Sequence, residues 1–259
     1  MPGAKTAMNV YEKILSARSK GKKLFAVLFD PDKLSGKKLA EAAAACEDAG
    51  ADFAFVGSSL LTRDTLDSCI RTIRKKYHKP IVLFPGNTLQ VTKQADAILF
   101  LSLISGRNAE MLIGNHVIAA PMLKQSNIEV MPTGYMLIES GVPTSVSYMS
   151  NSTPIPRDKT DIAASTAMAG EMLGLKLIYL DAGSGAKEPL STEIIKAVRK
   201  KTGVPLIAGG GIRSAELAVE KCRAGADVIV VGNSIEKNPG LIYEIADVVH
   251  SAAAQKTIR

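Results

Sequence analysis

Short apolar runs recur eight times along the chain, and nearly all are separated from the next by a helix-length stretch. They begin near Leu24 (LFAVLF), Asp52 (DFAFVG), Ile81 (IVLF), Ala97 (AILFLS), Glu129 (EVMPTGYMLI), Leu177 (LIYLDA), Pro205 (PLIAGG) and Asp227 (DVIVVG). Continuous runs of this kind, rich in β-branched residues, are the pattern of parallel strands covered on both faces by crossover helices. The segments between them have helical patterning, as in residues 36–48 (GKKLAEAAAACED) and residues 191–201, where Ile194, Ile195 and Val198 share a face. The joint Ala-Gly-Ala-Asp occurs twice, at residues 49–52 and 224–227, each time closing a helix with a glycine and entering an apolar strand. Eight βα units in 259 residues fit a closed barrel better than an open doubly wound sheet. The expected fold class is therefore α/β: a (β/α)8 TIM barrel, one domain over residues 1–259 with a short N-terminal helical extension over residues 1–23.

Two segments depart from the repeat. Residues 84–93 are too short for a full crossover helix, so the third helix is expected to be modified or missing. Residues 140–157 (SGVPTSVSYMSNSTPIPR) read as a long loop after the fifth strand, on the face where such barrels carry their active sites.

Composition narrows the function classes. The formal charge of +7 suits anionic substrates and transient contact with an anionic membrane surface, but the basic residues are scattered. Aromatics make up 5% and tryptophan is absent, so nucleic-acid binding is not expected. Residues 1–23 lack the apolar core of a signal peptide and no window is long enough to span a membrane, which points to the cytoplasm. Cys46, Cys69 and Cys222 form no CxxC pair and read as reduced, packed thiols.

Candidate chemistry lies at the strand ends. The seventh strand ends Gly209-Gly210-Gly211-Ile212-Arg213 and the eighth Val231-Gly232-Asn233-Ser234, where a barrel of this kind holds a phosphate on backbone N–H groups. The sixth ends Tyr179-Leu180-Asp181-Ala182-Gly183-Ser184-Gly185, placing a carboxylate beside those loops. Asp181 is suited either to accept a hydroxyl proton or to hydrogen-bond a polyol; the plainer alternative is a turn-capping aspartate. The first two strands end Phe29-Asp30-Pro31-Asp32 and Val56-Gly57-Ser58-Ser59, and one carboxylate with one hydroxyl suffices for magnesium, although Asp-Pro-Asp is also ordinary turn chemistry. His78, His116 and His250 have no partner at metal or triad spacing, and none of Lys93, Lys124 and Lys176 sits in a pattern that singles out a Schiff-base nucleophile. Tyr135 and Tyr179 fall within strands and read as core or mouth-lining residues.

On the motifs at residues 29–33, 56–59, 179–185, 209–213 and 231–233, in that order, the chain resembles the geranylgeranylglyceryl phosphate synthase family and its heptaprenylglyceryl phosphate synthase relatives. The resemblance implies a magnesium-dependent prenyltransferase that joins a long-chain prenyl diphosphate, geranylgeranyl diphosphate in the first place, to the free hydroxyl of sn-glycerol 1-phosphate, as a homo-oligomer. It implies Asp30 and Ser59 as metal ligands. Tyr179, Leu180, Asp181, Ala182, Gly183, Ser184, Gly185, Gly210, Gly211, Gly232 and Asn233 would form the glycerol phosphate site, with Asp181 as catalytic carboxylate and Tyr179 as its helper. The chain departs from the family in having Asp181 where Glu is common and Ser58 where Gly is common, which leaves Ser58 and Ser59 both in play. Competing readings are a phosphosugar isomerase or aldolase, which would need a lysine or an acid–base pair at the mouth, and a catalytically silent binding protein on the same fold.

Overall fold

The structure, a computed structural model, describes residues 9–252; the part of the expected extension that falls on residues 1–8 lies outside them. Eight strands, β1 (Leu24–Phe29), β2 (Phe53–Val56), β3 (Ile81–Leu83), β4 (Ala97–Leu103), β5 (Glu129–Leu137), β6 (Leu177–Asp181), β7 (Leu206–Gly209) and β8 (Val228–Val231), pair in chain order into a closed barrel. All ladders are parallel, and β8 returns to β1 with Val228 opposite Leu24. Each expected run is thus a strand, within a residue of its expected start.

The helices are α1 (Val10–Ser19), α2 (Gly36–Asp48), α3 (Leu66–Arg74), α4 (Asn115–Ser126), α5 (Ser145–Met149), α6 (Thr160–Met172), α7 (Thr192–Lys201), α8 (Ala215–Ala224), α9 (Asn233–Lys237) and α10 (Leu241–Ser251). No helix forms between β3 and β4, so the third crossover is a loop, as its length required. A π-helical turn, Glu110–Gly114, leads into α4. The loop expected over residues 140–157 holds a helical turn, α5, because Thr144 and Ser147 cap one another's backbone in a reciprocal box. No described helix is long and apolar enough to cross a membrane.

Side-chain alternation along the strands splits the apolar residues into two cores. Leu24, Ala26, Phe53, Phe55, Leu99, Tyr135 and Tyr179 fill the barrel, while Phe25, Val27, Ile98, Ile178, Leu180 and Ile229 pack outward against the helices. The three cysteines are free and buried, and burial pushes the Cys69 and Cys222 thiols up to about 12, so they act as packing groups.

The floor of the barrel is closed by α1, whose Val10, Ile14 and Ala17 belong to the inner core. The Glu129 carboxylate, at the start of β5, accepts the N–H groups of Val10 (2.5 Å) and Tyr11 (3.0 Å), satisfying donors that the helix itself cannot. Lys13 reaches Asp52 at 3.2 Å, and Arg18 reaches Asp227 at 3.7 Å. Three aspartates that precede strands make one repeated bond to the preceding strand in sequence. Asp52 accepts from Phe25 N–H (3.1 Å), Asp96 from Ile81 (2.7 Å) and Asp227 from Leu206 (2.9 Å). Burial works to raise the Asp52 carboxyl, but the His250 hydrogen bond, the Lys13 charge and the Phe25 N–H outweigh it and hold it below the ordinary range.

Glu129→Ala removes the acceptor for two helix N-terminal donors. It is expected to lower stability by about 1 kcal/mol in chemical denaturation, with α1 amides losing hydrogen-exchange protection before those of the strands.

Candidate active site

A cavity of about 730 Å3 opens at the C-terminal ends of the strands and is lined from β1 round to β8. Its floor is set by strand parity: Tyr135 and Tyr179 point inward, and Asp181 continues the inward series of β6.

Asp181 is buried, and both of its oxygens are held. Oδ1 accepts the Gly183 N–H at 2.7 Å, and Oδ2 accepts the Tyr135 hydroxyl at 2.6 Å, the length of a charge-assisted O–H···O bond. Burial raises its pKa above the ordinary carboxylate value, against the lowering pull of those two donors. Burial and the nearby Asp181 charge push the Tyr135 and Tyr179 phenols well above theirs, so both stay protonated. The phenol bonded to Asp181 is therefore that of Tyr135, not that of its cross-strand neighbour Tyr179. Tyr179 instead stacks on Phe84 at 4.9 Å between ring centres, with Tyr135 edge-on to both.

The glycine loops form the adjoining rim. Gly183, Gly185, Gly210 and Gly211 all have positive φ, between 71° and 86°, which a side chain would oppose. Space is equally restrictive at Gly210, where a Cβ would fall 2.6 Å from Asp181 Oδ1 and from the Ala182 nitrogen. Asn233 joins two loops, donating to Ser184 Oγ (2.8 Å) and accepting from Lys33 (2.7 Å). Lys187 and Arg213 also line this rim and give it positive charge; Arg213 ends the glycine motif after β7, whereas Lys187 lies outside the motif at residues 179–185. Of the expected residues, Tyr179, Asp181, Gly183, Ser184, Gly185, Gly210, Gly211, Gly232 and Asn233 line the cavity. Leu180 and Ala182 do not: both pack in the outer core, and the Ala182 N–H is taken by the Gly209 carbonyl.

Asp30 and Ser58 meet on the opposite side of the mouth, with Ser58 Oγ donating to Asp30 Oδ2 at 3.1 Å. Buried Gln90 pins Ser58 by bonds to its N–H (3.0 Å) and carbonyl (2.7 Å), a contact from the helix-free third crossover. Ser59 lines the same wall, so the carboxylate has a hydroxyl partner in Ser58 and a second hydroxyl nearby. Asp32 turns away, accepting from Thr62 and holding the Arg63 loop. No group of three or more His, Cys, Asp or Glu side chains converges among the described residues. One carboxylate with serine oxygens is a hard, sparse donor set, and it fits an ion such as magnesium that keeps most of its ligands as water and phosphate. Lys33, 3.5 Å from Asp30 Oδ2, links this side to the glycine rim through Asn233.

From the aromatic cluster the cavity continues past Val91, Ile98 and Phe100 to Ala119 on α4. Ile98 and Phe100 belong to the outward series of β4, which a third crossover helix would otherwise cover. Omitting that helix therefore leaves an apolar trench leading out of the polar mouth.

The sequence pattern of the PcrB family matches residues 17–251. The chain is 53% identical over 244 residues to the geranylgeranylglyceryl phosphate synthase of Chitinophaga pinensis, covering 94% of this chain and 97% of that one. It is 55% identical over 229 residues to the enzyme of the same name from Spirosoma linguale, covering 88% and 92%. The crystal structure of (S)-3-O-geranylgeranylglyceryl phosphate synthase from Thermoplasma acidophilum in complex with sn-glycerol-1-phosphate superposes with a TM-score of 0.89 at 32% identity, over 95% of this chain and all of that one.

Gly210→Ala, which drives a methyl group into Asp181 and forces an alanine to positive φ, is expected to weaken binding of inorganic phosphate at the rim by about tenfold or more. Phosphate titration followed by 31P NMR checks this, and binding equal to the parent protein would remove the rim as the anion site.

Proposed function

The chain belongs to the PcrB family, with the geranylgeranylglyceryl phosphate synthases as its relatives, and we propose that it joins a prenyl diphosphate, geranylgeranyl diphosphate in the first place, to the free hydroxyl of sn-glycerol 1-phosphate. The observation that carries this reading is the continuity of one cavity from a basic, glycine-rimmed mouth with a buried carboxylate to an apolar trench outside β4. A small phosphate ester and a long hydrocarbon chain need those two compartments, and their reacting ends would meet at the aromatic cluster.

Glycerol phosphate would seat its phosphate against the loops at Gly183–Gly185, Gly210–Gly211 and Gly232–Asn233, with Lys187 and Arg213 adding charge. Its free hydroxyl would then face Asp181. In the transfer the hydroxyl oxygen forms a bond to the allylic carbon of the donor, the bond from that carbon to the diphosphate breaks, and the diphosphate leaves with the electron pair. The hydroxyl proton passes to the Asp181 carboxylate, whose burial makes it a better proton acceptor than an exposed aspartate. Phe84 and Tyr179 flank the reacting end and exclude water. Asp30, with the hydroxyl of Ser58 or Ser59, would hold magnesium. When bound, that ion supplies charge neutralisation for the departing diphosphate. Holding both substrates in line provides most of the remaining rate gain.

Incubation with magnesium, sn-glycerol 1-phosphate and a series from geranyl to heptaprenyl diphosphate, with and without chelator, tests the reaction. An ether product that needs the metal and the 1-phosphate isomer is expected, and no product from any donor would end the assignment. Ala119→Trp, placed on the trench wall, is expected to shift the preferred donor to a shorter chain; an unchanged preference would move the tail elsewhere. We also read the protein as a cytoplasmic homo-oligomer. The exposed Ile113, Val117, Ile118 and Met122 along the π turn and α4 offer an apolar face for self-association. A monomer mass by light scattering would count against this.

A further inference from the structure

We propose that Tyr135, a residue of β5, is the positioning residue that fixes the Asp181 carboxylate and holds down its proton affinity. The inference rests on the reading of Asp181 as the proton acceptor and adds a partner that sets how that acceptor behaves.

The geometry isolates one adjustable contact. Asp181 Oδ1 is tied to a backbone N–H two residues ahead, which no substitution of a side chain removes. Oδ2 is tied at 2.6 Å to Tyr135, across 46 residues of sequence, so the carboxylate plane is defined by one backbone donor and one side-chain donor. The Tyr135 ring is itself immobilised, buried at 5% exposure and packed edge-on against Phe84 and Tyr179. Its hydroxyl is thus delivered to one place, and a donor so placed favours the ionised carboxylate.

Among the described residues, Tyr135 is the one side chain that hydrogen-bonds Asp181. From its own strand Asp181 faces Tyr179, which acts on it through proximity and is stacked on Phe84. From β7 it meets only the glycines at 209 and 210. The charged side chains of the mouth, Asp30, Lys33, Lys187 and Arg213, come from the loops after β1, β6 and β7; Lys33 bonds Asn233 and pairs with Asp30, and Arg213 bonds the Lys187 carbonyl. A phenol also keeps its proton throughout the working pH range here, so Tyr135 supplies a constant hydrogen bond and no competing titration.

The sign of the effect follows. Removing the hydroxyl deprives the ionised form of a donor, so Asp181 holds its proton to higher pH. Strengthening the donor does the opposite. In Tyr135→Phe the acidic limb of the kcat/KM profile is expected to move up by about one pH unit, with the KM for glycerol phosphate nearly unchanged. Replacing Tyr135 alone by 3-fluorotyrosine, a slightly more acidic phenol of almost the same size, is expected to move that limb down. A residue that merely fills space would give neither shift, and certainly not shifts of opposite sign.

A second readout needs no turnover. In protein carrying 13C-labelled aspartate carboxyl groups, the resonance lost in Asp181→Asn identifies the site, and its titration is followed in the parent and both Tyr135 variants. Displaced titrations in opposite directions support the proposal even if the reaction proves to be another. Coincident titrations in all three proteins overturn it. Full activity of Asp181→Asn would instead remove Asp181 as the proton acceptor, and the carboxyl titrations would still decide whether Tyr135 controls its affinity. Circular dichroism of the phenylalanine variant guards against misfolding, and the fluorotyrosine protein keeps the test decisive if that variant does not fold.

Discussion

Pairing of β8 with β1 closes the sheet, and the position of every group at the mouth depends on that closure. In a closed parallel barrel all strands point the same way, so residues far apart in sequence end in one ring, and parity decides which of them face the axis. Asp30 and the serines after β2 are brought opposite the glycine loops after β6, β7 and β8. Two walls of unlike chemistry, hard oxygen donors on one side and glycine-rich backbone loops on the other, then share a cavity with Lys33 and Asn233 between them. A small slip in closure would misplace both, which gives a physical reason for the heavy investment in the barrel floor. The aspartates that precede β2, β4 and β8 each bond a neighbouring strand's N–H, and α1 seals the opening beneath them.

The trench is created by what the chain leaves out. Where other crossovers lay a helix over the sheet, residues 84–96 form a loop that leaves Phe100 only partly covered and uses its own residues on the mouth. Gln90 locks Ser58, and Phe84 stacks on Tyr179. Gly57 allows this approach, because a Cβ there would lie 1.8 Å from the Phe84 carbonyl oxygen. The wall of the trench is completed by α4, which enters through a π turn; Ser102 gathers that turn by donating to the Leu112 carbonyl and contacting His116.

Features carried by local pattern were legible in the sequence. The strand starts, the short third crossover and the glycine loops all follow from runs and spacings that need no tertiary knowledge. What escaped was set by distance. The Tyr135 bond to Asp181 joins strands 46 residues apart, and a tyrosine inside a strand carries no local mark of its partner. Gln90 meets Ser58 across 32 residues and Ser58 meets Asp30 across 28, contacts that no local pattern at the adjacent serines announces. Leu180 and Ala182 lie inside a motif, yet alternation turns their side chains to the outer core. The helical turn at Ser145–Met149 was concealed by a Ser- and Thr-rich composition that normally signals a loop, although Thr144 and Ser147 stand at capping distance.

Phe84 occupies a boundary, with its ring on Tyr179 at the head compartment and its loop running along the tail compartment. The two regions are therefore mechanically continuous through a single aromatic plane. Lengthening, shortening or tilting that plane changes the fit of the hydrocarbon and the orientation of the inner tyrosines in one movement. On the proposed function, chain-length selectivity and turnover would accordingly be coupled traits in this scaffold. Under that reading, drift toward another donor length through the loop after β3 would alter the catalytic geometry on the same path, whereas drift through α4, on the far wall, would leave Phe84 and its stacking on Tyr179 in place.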